Sequence, residues 1–294
     1  MARALFRLMR PHQWIKNGFV FLGVVFGHGW GDARLVAEVL TLFAAFCLAA
    51  SAVYIMNDIA DREADRLHPL KRSRPLARGE VRVGPALAVC LALALGGLLL
   101  AAAVSVPALL IVGAYAGLNF AYSAGLKHVA ILDVFMIAGG FMLRILAGTV
   151  GVGIAPSKWL LLCGFMLTLF LGFGKRRAEL VAFNSDGNPD GAAAQRAALE
   201  GYSKALLDRL IMVSVAGAAI GYALYTVDPE TIALHGTDKL ILTLPFVLYG
   251  LFRYLQLMYS KGGGGDPAWD LLHDPHLILA TAGWLGATAW FLAA

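Results

Sequence analysis

Residues 35–56 read LVAEVLTLFAAFCLAASAVYIM, and the segment Asn57-Asp58-Ile59-Ala60-Asp61-Arg62-Glu63-Ala64-Asp65 follows directly. The first stretch holds one charged residue, Glu38, and it is long enough for a membrane-spanning helix, which needs about 20 mainly apolar residues. The second stretch is rich in side-chain oxygens. An apolar span that ends in an acidic segment predicts a helical membrane protein with a polar site at one membrane face.

The composition of the whole chain supports this class of protein. Hydrophobic residues make up 59% of the 294 residues and charged residues 15%, whereas soluble chains carry roughly 25% charged residues. The mean hydropathy is +0.71. These values exclude a water-soluble globule, a disordered chain and a disulfide scaffold. The three cysteines, Cys47, Cys90 and Cys163, lie in apolar runs without a nearby Cys or His, so we predict buried apolar roles for them.

Apolar runs of spanning length recur along the chain and predict about nine transmembrane helices. Helices are favoured over strands because the runs are long and lack the period-2 alternation of a membrane barrel. The fold class is therefore predicted as all-α, in a single integral-membrane domain over 1–294 with long loops at 57–83 and 175–204. The predicted spans are 14–29, 35–56, 84–104, 107–123, 128–150, 157–174, 205–227, 238–259 and 275–293.

The distribution of basic residues predicts the orientation. With the N-terminus inside, 20 of the 24 Lys and Arg residues lie in cytoplasmic segments, three (Arg34, Lys158 and Lys239) lie outside, and Arg144 lies within a span. This asymmetry follows the positive-inside rule. It predicts a multi-pass protein of the cell inner (plasma) membrane, with its active site on the cytoplasmic face. The net charge of +5 then faces anionic lipid headgroups, and no nucleic acid partner is expected.

The acidic segment has the spacing of a metal site. Asn57, Asp61 and Asp65 recur every four residues and therefore stack on one helix face, while Asp58 is three residues from Asp61. Such a concentration of oxygen ligands predicts Mg²⁺, which binds a few carboxylates and shares its shell with substrate phosphates.

Basic residues follow the acidic segment in the same loop and suit phosphate oxygens, because Arg makes bidentate contacts with phosphate. They are Lys71, Arg72, Arg74 and Arg78. The alternative interpretation of the whole segment is a solvated, salt-bridged loop, which is the usual nature of a run of charges.

The pattern Asn57-Asp58-x-x-Asp61-x-x-x-Asp65 resembles the first aspartate-rich motif of the UbiA superfamily of intramembrane prenyltransferases. The resemblance implies the nine-helix UbiA-like bundle with a cytoplasmic acidic mouth. A narrower resemblance is to the decaprenyl-phosphate phosphoribosyltransferase branch, whose members transfer 5-phosphoribose from phosphoribosyl diphosphate to a polyprenyl phosphate. The segments that carry it are Arg10–Asn17, His68–Pro75, Tyr122–Lys127 and Gly174–Leu180.

A departure from the wider family favours that branch. Other UbiA prenyltransferases carry a second Asp-x-x-x-Asp helix, but Asp186 and Asp190 flank Gly187-Asn188-Pro189, which signals a turn. A basic pocket suits two separate phosphorylated substrates, although basic loops also follow from membrane topology. The corresponding segment here carries Lys175, Arg176, Arg177 and Glu179.

Asp133 and Arg144 lie in the fifth predicted span. Their separation of 11 residues is close to three helical turns and puts them on one side of the helix. An intramembrane Arg predicts a functional site, because placing it in lipid is costly; an interhelical ion pair is the structural alternative.

The resemblance and the residues together give the following candidate site. Asp58, Asp61, Asp65 and Glu179 are the predicted catalytic residues, and the oxygens of Asn57, Asp58, Asp61 and Asp65 are the predicted Mg²⁺ ligands. The predicted substrate-binding residues are Lys16, Asn17, Asn57, Lys71, Arg74, Tyr122, Lys127, Asp133, Arg144, Lys175 and Arg176. For Lys16 and Tyr122 the alternatives are snorkelling and interfacial anchoring.

The implied partners are a polyprenyl phosphate, phosphoribosyl diphosphate and membrane lipids, and the sequence leaves a homo-oligomer open. A UbiA-type prenyltransferase that joins a prenyl diphosphate to an aromatic or other acceptor is the alternative enzyme. A secondary transporter is the non-enzymatic alternative, but it would place coupling residues near the midplane, whereas the acids here lie at one mouth.

Overall fold

The computed structural model describes residues 2–27, 29–67, 71–186, 199–260, 265 and 267–293. Within these ranges the chain forms helices and no β-strand, which confirms the predicted all-α class. The α-helices are α1 (Ala2–Leu8), α2 (Leu22–Phe26), α3 (Ala33–Ala60), α4 (Arg62–Leu67), α5 (Val83–Val104), α6 (Val106–Ser123), α7 (Leu132–Ala147), α8 (Lys158–Asp186), α9 (Lys204–Val227), α10 (Pro229–His235), α11 (Leu244–Ser260), α12 (Pro267–His273) and α13 (Pro275–Ala293).

Seven segments of the described chain are long and apolar enough to cross a membrane. They match the second to eighth predicted spans: Ala33–Ala60, Val83–Val104, Val106–Ser123, Leu132–Val152, Lys158–Phe183, Lys204–Val227 and Lys239–Ser260.

The first and last predicted spans have different structures. Residues 14–29 fall mainly on a 3₁₀ helix, Pro11–Phe21, that continues into α2, and 275–293 forms α13 with the predicted bounds. A 3₁₀ helix of this length is uncommon, and the apolar pattern of the sequence does not distinguish it from an α-helix. The protein is thus a multi-span helical membrane protein, and the count of nine spans stays a prediction.

The described residues divide into two compact units. One is drawn from Met1–Pro156 and Asn188–Glu200, and the other from Ser157–Gly187 and Gly201–Ala294. The assignment of 1–294 to a single domain stays a prediction.

Helix α3 is the core helix of the first unit. Its buried residues include Leu42, Phe46, Ala49 and Val53, spaced three or four apart so that they form one packed face. This face contacts the Pro11–Phe21 segment and α6. By contrast, most of α5 and α6 is not buried within the protein, and their exposed leucines and valines are suited to contact with lipid. The acidic end of α3 is therefore held by a packed helix rather than by a free loop.

A close backbone contact fixes the N-terminal segment against the end of α7. A Cβ atom on Gly148 would lie 1.7 Å from the carbonyl oxygen of Val20, and one on Gly23 would lie 1.9 Å from the carbonyl oxygen of Gly148. Only glycine fits at these two positions, in line with the use of small residues where membrane helices approach closely. The contact holds Asn17, in the Pro11–Phe21 segment, close to the C-terminal half of α7.

The two segments predicted as loops are partly helical. Residues 57–60 complete α3, and α4 follows one residue later; residues 175–186 complete α8. Helix continues through 175–186 because Arg, Ala, Glu and Leu, which make up half of that stretch, are strong helix formers. Residues 187–198 lie outside the described residues.

Candidate active site

The acidic motif keeps its helical register beyond the end of α3. Asp61 occupies the C-cap of α3, and its backbone N–H donates to the carbonyl of Asn57 over 2.8 Å. The N–H of Asp65 donates to the carbonyl of Asp61 over the same distance. The predicted four-residue stacking of Asn57, Asp61 and Asp65 is thus present in the backbone. The side chains, however, divide into two groups.

Asp58 and Asp65 form the first group, and both are buried, with 2% and 3% exposure. Arg74 Nη1 lies 2.6 Å from Asp65 Oδ2 and 3.1 Å from Asp58 Oδ1, so one nitrogen bridges the two carboxylates. Arg10 Nη2 lies 2.5 Å from the same Asp58 oxygen. Two acids and two guanidinium groups therefore form a compact, formally neutral cluster.

Asn57 and Asp61 form the second group and face the end of α6. The Ser123 hydroxyl donates to Asn57 Oδ1 over 2.6 Å. The ammonium of Lys127, in the turn that follows α6, lies 3.3 Å from Asp61 Oδ1. Asp61 keeps 41% of its side chain exposed, so it is the accessible carboxylate of the motif.

The fit of this site to a metal ion depends on which partners the carboxylates have. Among the described residues, no three His, Cys, Asp or Glu side chains are arranged so that they could hold a metal ion, and the carboxylates of the motif instead contact Arg10, Arg74 and Lys127. The donor atoms themselves, carboxylate and amide oxygens, suit Mg²⁺. Asp58 and Asp65 are also close enough to share one cation, since Arg74 bridges them.

Glu63 lies in the same stretch, but its ion pairs are with residues of its own helix, α4. Its side chain is 69% exposed and pairs with Arg62 and Arg66. The hydrogen bond from Arg62 is the main reason that the pKa of Glu63 lies below its ordinary value. The alternative interpretation of the segment, a solvated and salt-bridged loop, thus fits the exposed Glu63. It does not fit Asp58 and Asp65, which are buried.

Arg10 is a site residue that the sequence prediction missed. It lies 48 positions from Asp58, and its guanidinium carbon lies 5.0 Å from the centre of the Tyr54 ring. The sequence did contain one indication of this role, because Arg10 begins the Arg10–Asn17 segment that carries the narrower resemblance. Only Lys16 and Asn17 of that segment were predicted as site residues.

Arg144 makes a buried network of neutral contacts. Its Nε donates to Asn17 Oδ1 over 2.8 Å, its Nη1 to the Gly140 carbonyl over 2.9 Å and its Nη2 to the Tyr115 hydroxyl over 3.0 Å. Asn17 is itself 1% exposed. Asp133 is buried as well, but eleven residues along one helix amount to roughly 16 Å. Arg144 therefore connects the N-terminal segment, α6 and α7, and does not pair with Asp133.

The remaining predicted residues of this unit lie around the same helices. Lys16 is half-buried in the Pro11–Phe21 segment, Tyr122 is half-buried in the last turn of α6, and Lys71 is exposed in the turn Lys71–Ser73. Their roles stay predictions.

In the second unit, the predicted basic cluster lies on α8 and not in a loop. Arg176 Nη1 lies 2.5 Å from Glu179 Oε2, and Lys175 Nζ lies 4.0 Å from Glu179 Oε1. Arg177 instead pairs with Asp208 over 2.6 Å and packs on the Tyr259 ring, 4.0 Å from its centre.

These contacts give the residues of the cluster different roles. Arg177 connects α8 to α9 and α11, whereas Lys175 is exposed and available to a ligand. The spacing of Asp186 and Asp190 cannot be compared with a second acidic helix, because Asp190 lies outside the described residues.

The second unit also contains an apolar cavity of about 340 Å³. Its walls come from α8, α9, α11, α12 and α13 and include Phe170, Tyr254 and Trp284. Cavities of this size with largely apolar walls are typical of sites for apolar ligands.

Comparison with known proteins identifies relatives along nearly the whole chain. The model of the UbiA prenyltransferase family matches residues 18–274. A decaprenyl-phosphate phosphoribosyltransferase of Corynebacterium glutamicum is 35% identical over 97% of this chain and 85% of its own length. The protein of the same name from Mycolicibacterium smegmatis is 32% identical over 99% of this chain and 94% of its own.

A solved structure has the same fold. A UbiA homolog from Archaeoglobus fulgidus, bound to GPP and Mg²⁺, matches 99% of this chain and 100% of its own with a TM-score of 0.71 and 21% identity. At that identity the likeness concerns the fold.

Proposed function

This chain belongs to the UbiA prenyltransferase family, and on that premise we propose that it transfers 5-phosphoribose from phosphoribosyl diphosphate to a decaprenyl-type polyprenyl phosphate. The observation that carries the proposal is the cluster at the end of α3, where Asp58 and Asp65 meet Arg10 and Arg74. Carboxylates for a cation and guanidinium groups for phosphate are the two elements that diphosphate chemistry needs. The names of the full-length relatives support the phosphoribosyl donor.

The reaction requires one displacement at the anomeric carbon of ribose. The bond from this carbon to the diphosphate oxygen breaks, and diphosphate leaves with the electron pair. An oxygen of the lipid phosphate forms the new bond. Because that phosphate is already ionised, no strong general base is required. A carboxylate would stabilise positive charge that develops on the sugar, and Asp65 and Glu179 are the two proposed candidates.

The charged residues of the site supply the electrostatic part of catalysis. Asn57 and Asp61 in one side-chain group, and Asp58 and Asp65 in the other, are the residues that would hold Mg²⁺, which would supply positive charge against the departing diphosphate. Arg74 and Lys71 are proposed to bind phosphate oxygens of the donor. Fixed charges of this kind stabilise the transition state without reorganisation, and such preorganisation is often the largest catalytic contribution.

The test is a comparison of donors with purified protein in detergent and Mg²⁺. One reaction contains a polyprenyl phosphate and phosphoribosyl diphosphate, and the other contains a prenyl diphosphate and 4-hydroxybenzoate. Mass spectrometry should find a lipid that has gained one phosphoribosyl group in the first reaction. A prenylated aromatic product without any ribosylated lipid would replace this function with that of a UbiA-type prenyltransferase.

The proposed cytoplasmic active face is tested by cysteine labelling in intact cells. Ser73 and Asp238 are suitable sites because the first is exposed and follows the acidic motif, while the second is exposed in a segment predicted to lie outside. An impermeant thiol reagent should label Asp238→Cys and not Ser73→Cys until the cells are opened. The native Cys47 and Cys90 are buried, whereas Cys163 is half-buried, so labelling of the parent chain measures the background. Labelling of Ser73→Cys from outside would contradict the orientation.

The basic cluster of α8 is tested at its exposed member. Lys175→Ala should weaken the binding of phosphoribosyl diphosphate by about tenfold, the lower limit for a charge-assisted contact to phosphate, if Lys175 binds the donor 5-phosphate. Arg209→Ala removes one positive charge from an exposed position of the same unit and is the control. Titration calorimetry measures both Kd values, and equal values for Lys175→Ala and Arg209→Ala would remove Lys175 from the site.

A further inference from the structure

One oxygen of Asp58 receives two guanidinium groups. Arg10 and Arg74 both contact Oδ1, although one cation would suffice to neutralise one carboxylate. Arg74 also serves Asp65. In the described part of the chain, Arg10 uses one of its five guanidinium N–H groups, in the bond to Asp58. The two acids therefore need both cations for charge balance, but Arg10 carries more N–H donors than its bond to Asp58 uses.

The backbone of Arg10 is strained in the position that brings its side chain to Asp58. Its φ of 52° and ψ of 60° are left-handed, a conformation that is unfavourable for a residue with a Cβ atom. The following residue is Pro11, and residues before proline favour extended conformations. Strain of this kind persists where the surrounding structure imposes it, and it is frequent at ligand-binding sites.

The guanidinium of Arg10 is held in place and yet accessible. Its carbon lies over the Tyr54 ring at 5.0 Å, and the side chain is 24% exposed, in contrast to 2% for that of Asp58. A ligand can therefore reach the guanidinium of Arg10 before it reaches the carboxylate beneath.

We propose that Arg10 binds the diphosphate of the donor substrate. If Asp58 held Mg²⁺, the guanidinium of Arg10 would be released from that carboxylate and would bind the diphosphate oxygens. The exchange keeps each charge compensated, since the cation replaces guanidinium at the acid and guanidinium meets the phosphate. The inference rests on the proposed function only in that the donor carries a diphosphate, which prenyl and phosphoribosyl donors share.

Arginine suits this role better than lysine. A guanidinium presents parallel N–H donors that match phosphate oxygens in a bidentate manner, whereas an ammonium acts as a point charge. Arg10→Lys should therefore keep the charge balance with Asp58 and still lose most of the affinity for diphosphate.

The experiment is calorimetric titration of the full chain in detergent with inorganic diphosphate and Mg²⁺. Arg10→Ala and Arg10→Lys should each raise the Kd about tenfold to a hundredfold. Arg7→Ala is the matched control, because Arg7 lies three residues before Arg10, at the end of α1, is half exposed and pairs with Glu80 at 3.6 Å; its Kd should equal that of the parent.

A purely structural role gives a different result. If Arg10 only neutralises Asp58, Arg10→Lys retains the parent Kd, and Arg10→Ala lowers the thermal unfolding temperature without a change in Kd; either Kd result overturns the proposal. If Arg10→Ala does not fold, Arg10→Lys alone decides. Because inorganic diphosphate is the probe, the result is independent of whether the lipid becomes ribosylated.

Discussion

Asp61→Asn should lower turnover by two to three orders of magnitude while the protein stays folded and inserted in the membrane. Removal of one preorganised electrostatic group from an active site costs about a factor of 10²–10³ in kcat. Asp61 is the suitable carboxylate for this test because 41% of its side chain is exposed and its ion pair is with the partly exposed Lys127; such pairs contribute only about 0–1 kcal/mol to stability. Loss of turnover then reports on chemistry and not on folding.

The control for this substitution is Glu63→Gln, which removes a carboxylate two residues away. Glu63 is 69% exposed and bound to arginines of its own helix, so we expect turnover near that of the parent. Formation of the lipid product is measured for both variants, with circular dichroism as the check on folding. Excess EDTA should abolish formation of the lipid product by the parent enzyme. Persistent activity with EDTA, or equal rates for the two variants, would contradict the metal-binding role of the motif.

Arg144→Ala should destabilise the protein by about 3 kcal/mol. The substitution leaves the buried oxygens of Asn17 and Tyr115 without their donor, and each unsatisfied buried group costs roughly 1–3 kcal/mol. It also removes a cation that lies 4.7 Å from the centre of the Tyr115 ring and 5.2 Å from that of Phe141. Chemical unfolding in detergent micelles measures the loss.

A double-mutant cycle separates the structural role of Arg144 from substrate binding. Asn17→Ala, Arg144→Ala and the double variant should give an interaction energy of about 1–2 kcal/mol, near the upper limit for polar contacts between membrane helices. The structural role predicts that stability falls in all three variants. If Arg144→Ala keeps the parent stability and only raises KM for the donor, Arg144 is a substrate-binding residue, as its position within a span predicts.

The sequence by itself determined the class of the protein and the helical spacing of its acidic motif. Hydropathy identifies the spans because about 20 apolar residues are needed to cross the bilayer. The excess of Lys and Arg in alternate connecting segments predicts which side of the membrane is cytoplasmic. The motif at 57–65 depends on spacing within one helix, and its backbone register is present in the structure. Apolar runs, basic residues and four-residue spacing each depend on residues that are close in the sequence, so they can be recognised without the tertiary structure.

Only the tertiary structure decided which charges meet. Arg10 reaches Asp58 across 48 positions, and Arg144 reaches Asn17 across 127. Spacing gives the face of a helix on which a side chain lies, but not the neighbour that packs against that face. For Arg144, the close contact of Gly148 with Val20 brings the segment that carries Asn17 against α7. The helical state of 175–186 was likewise missed, because apolarity ends where the membrane ends, whereas a helix ends only where its backbone hydrogen bonds lose their partners.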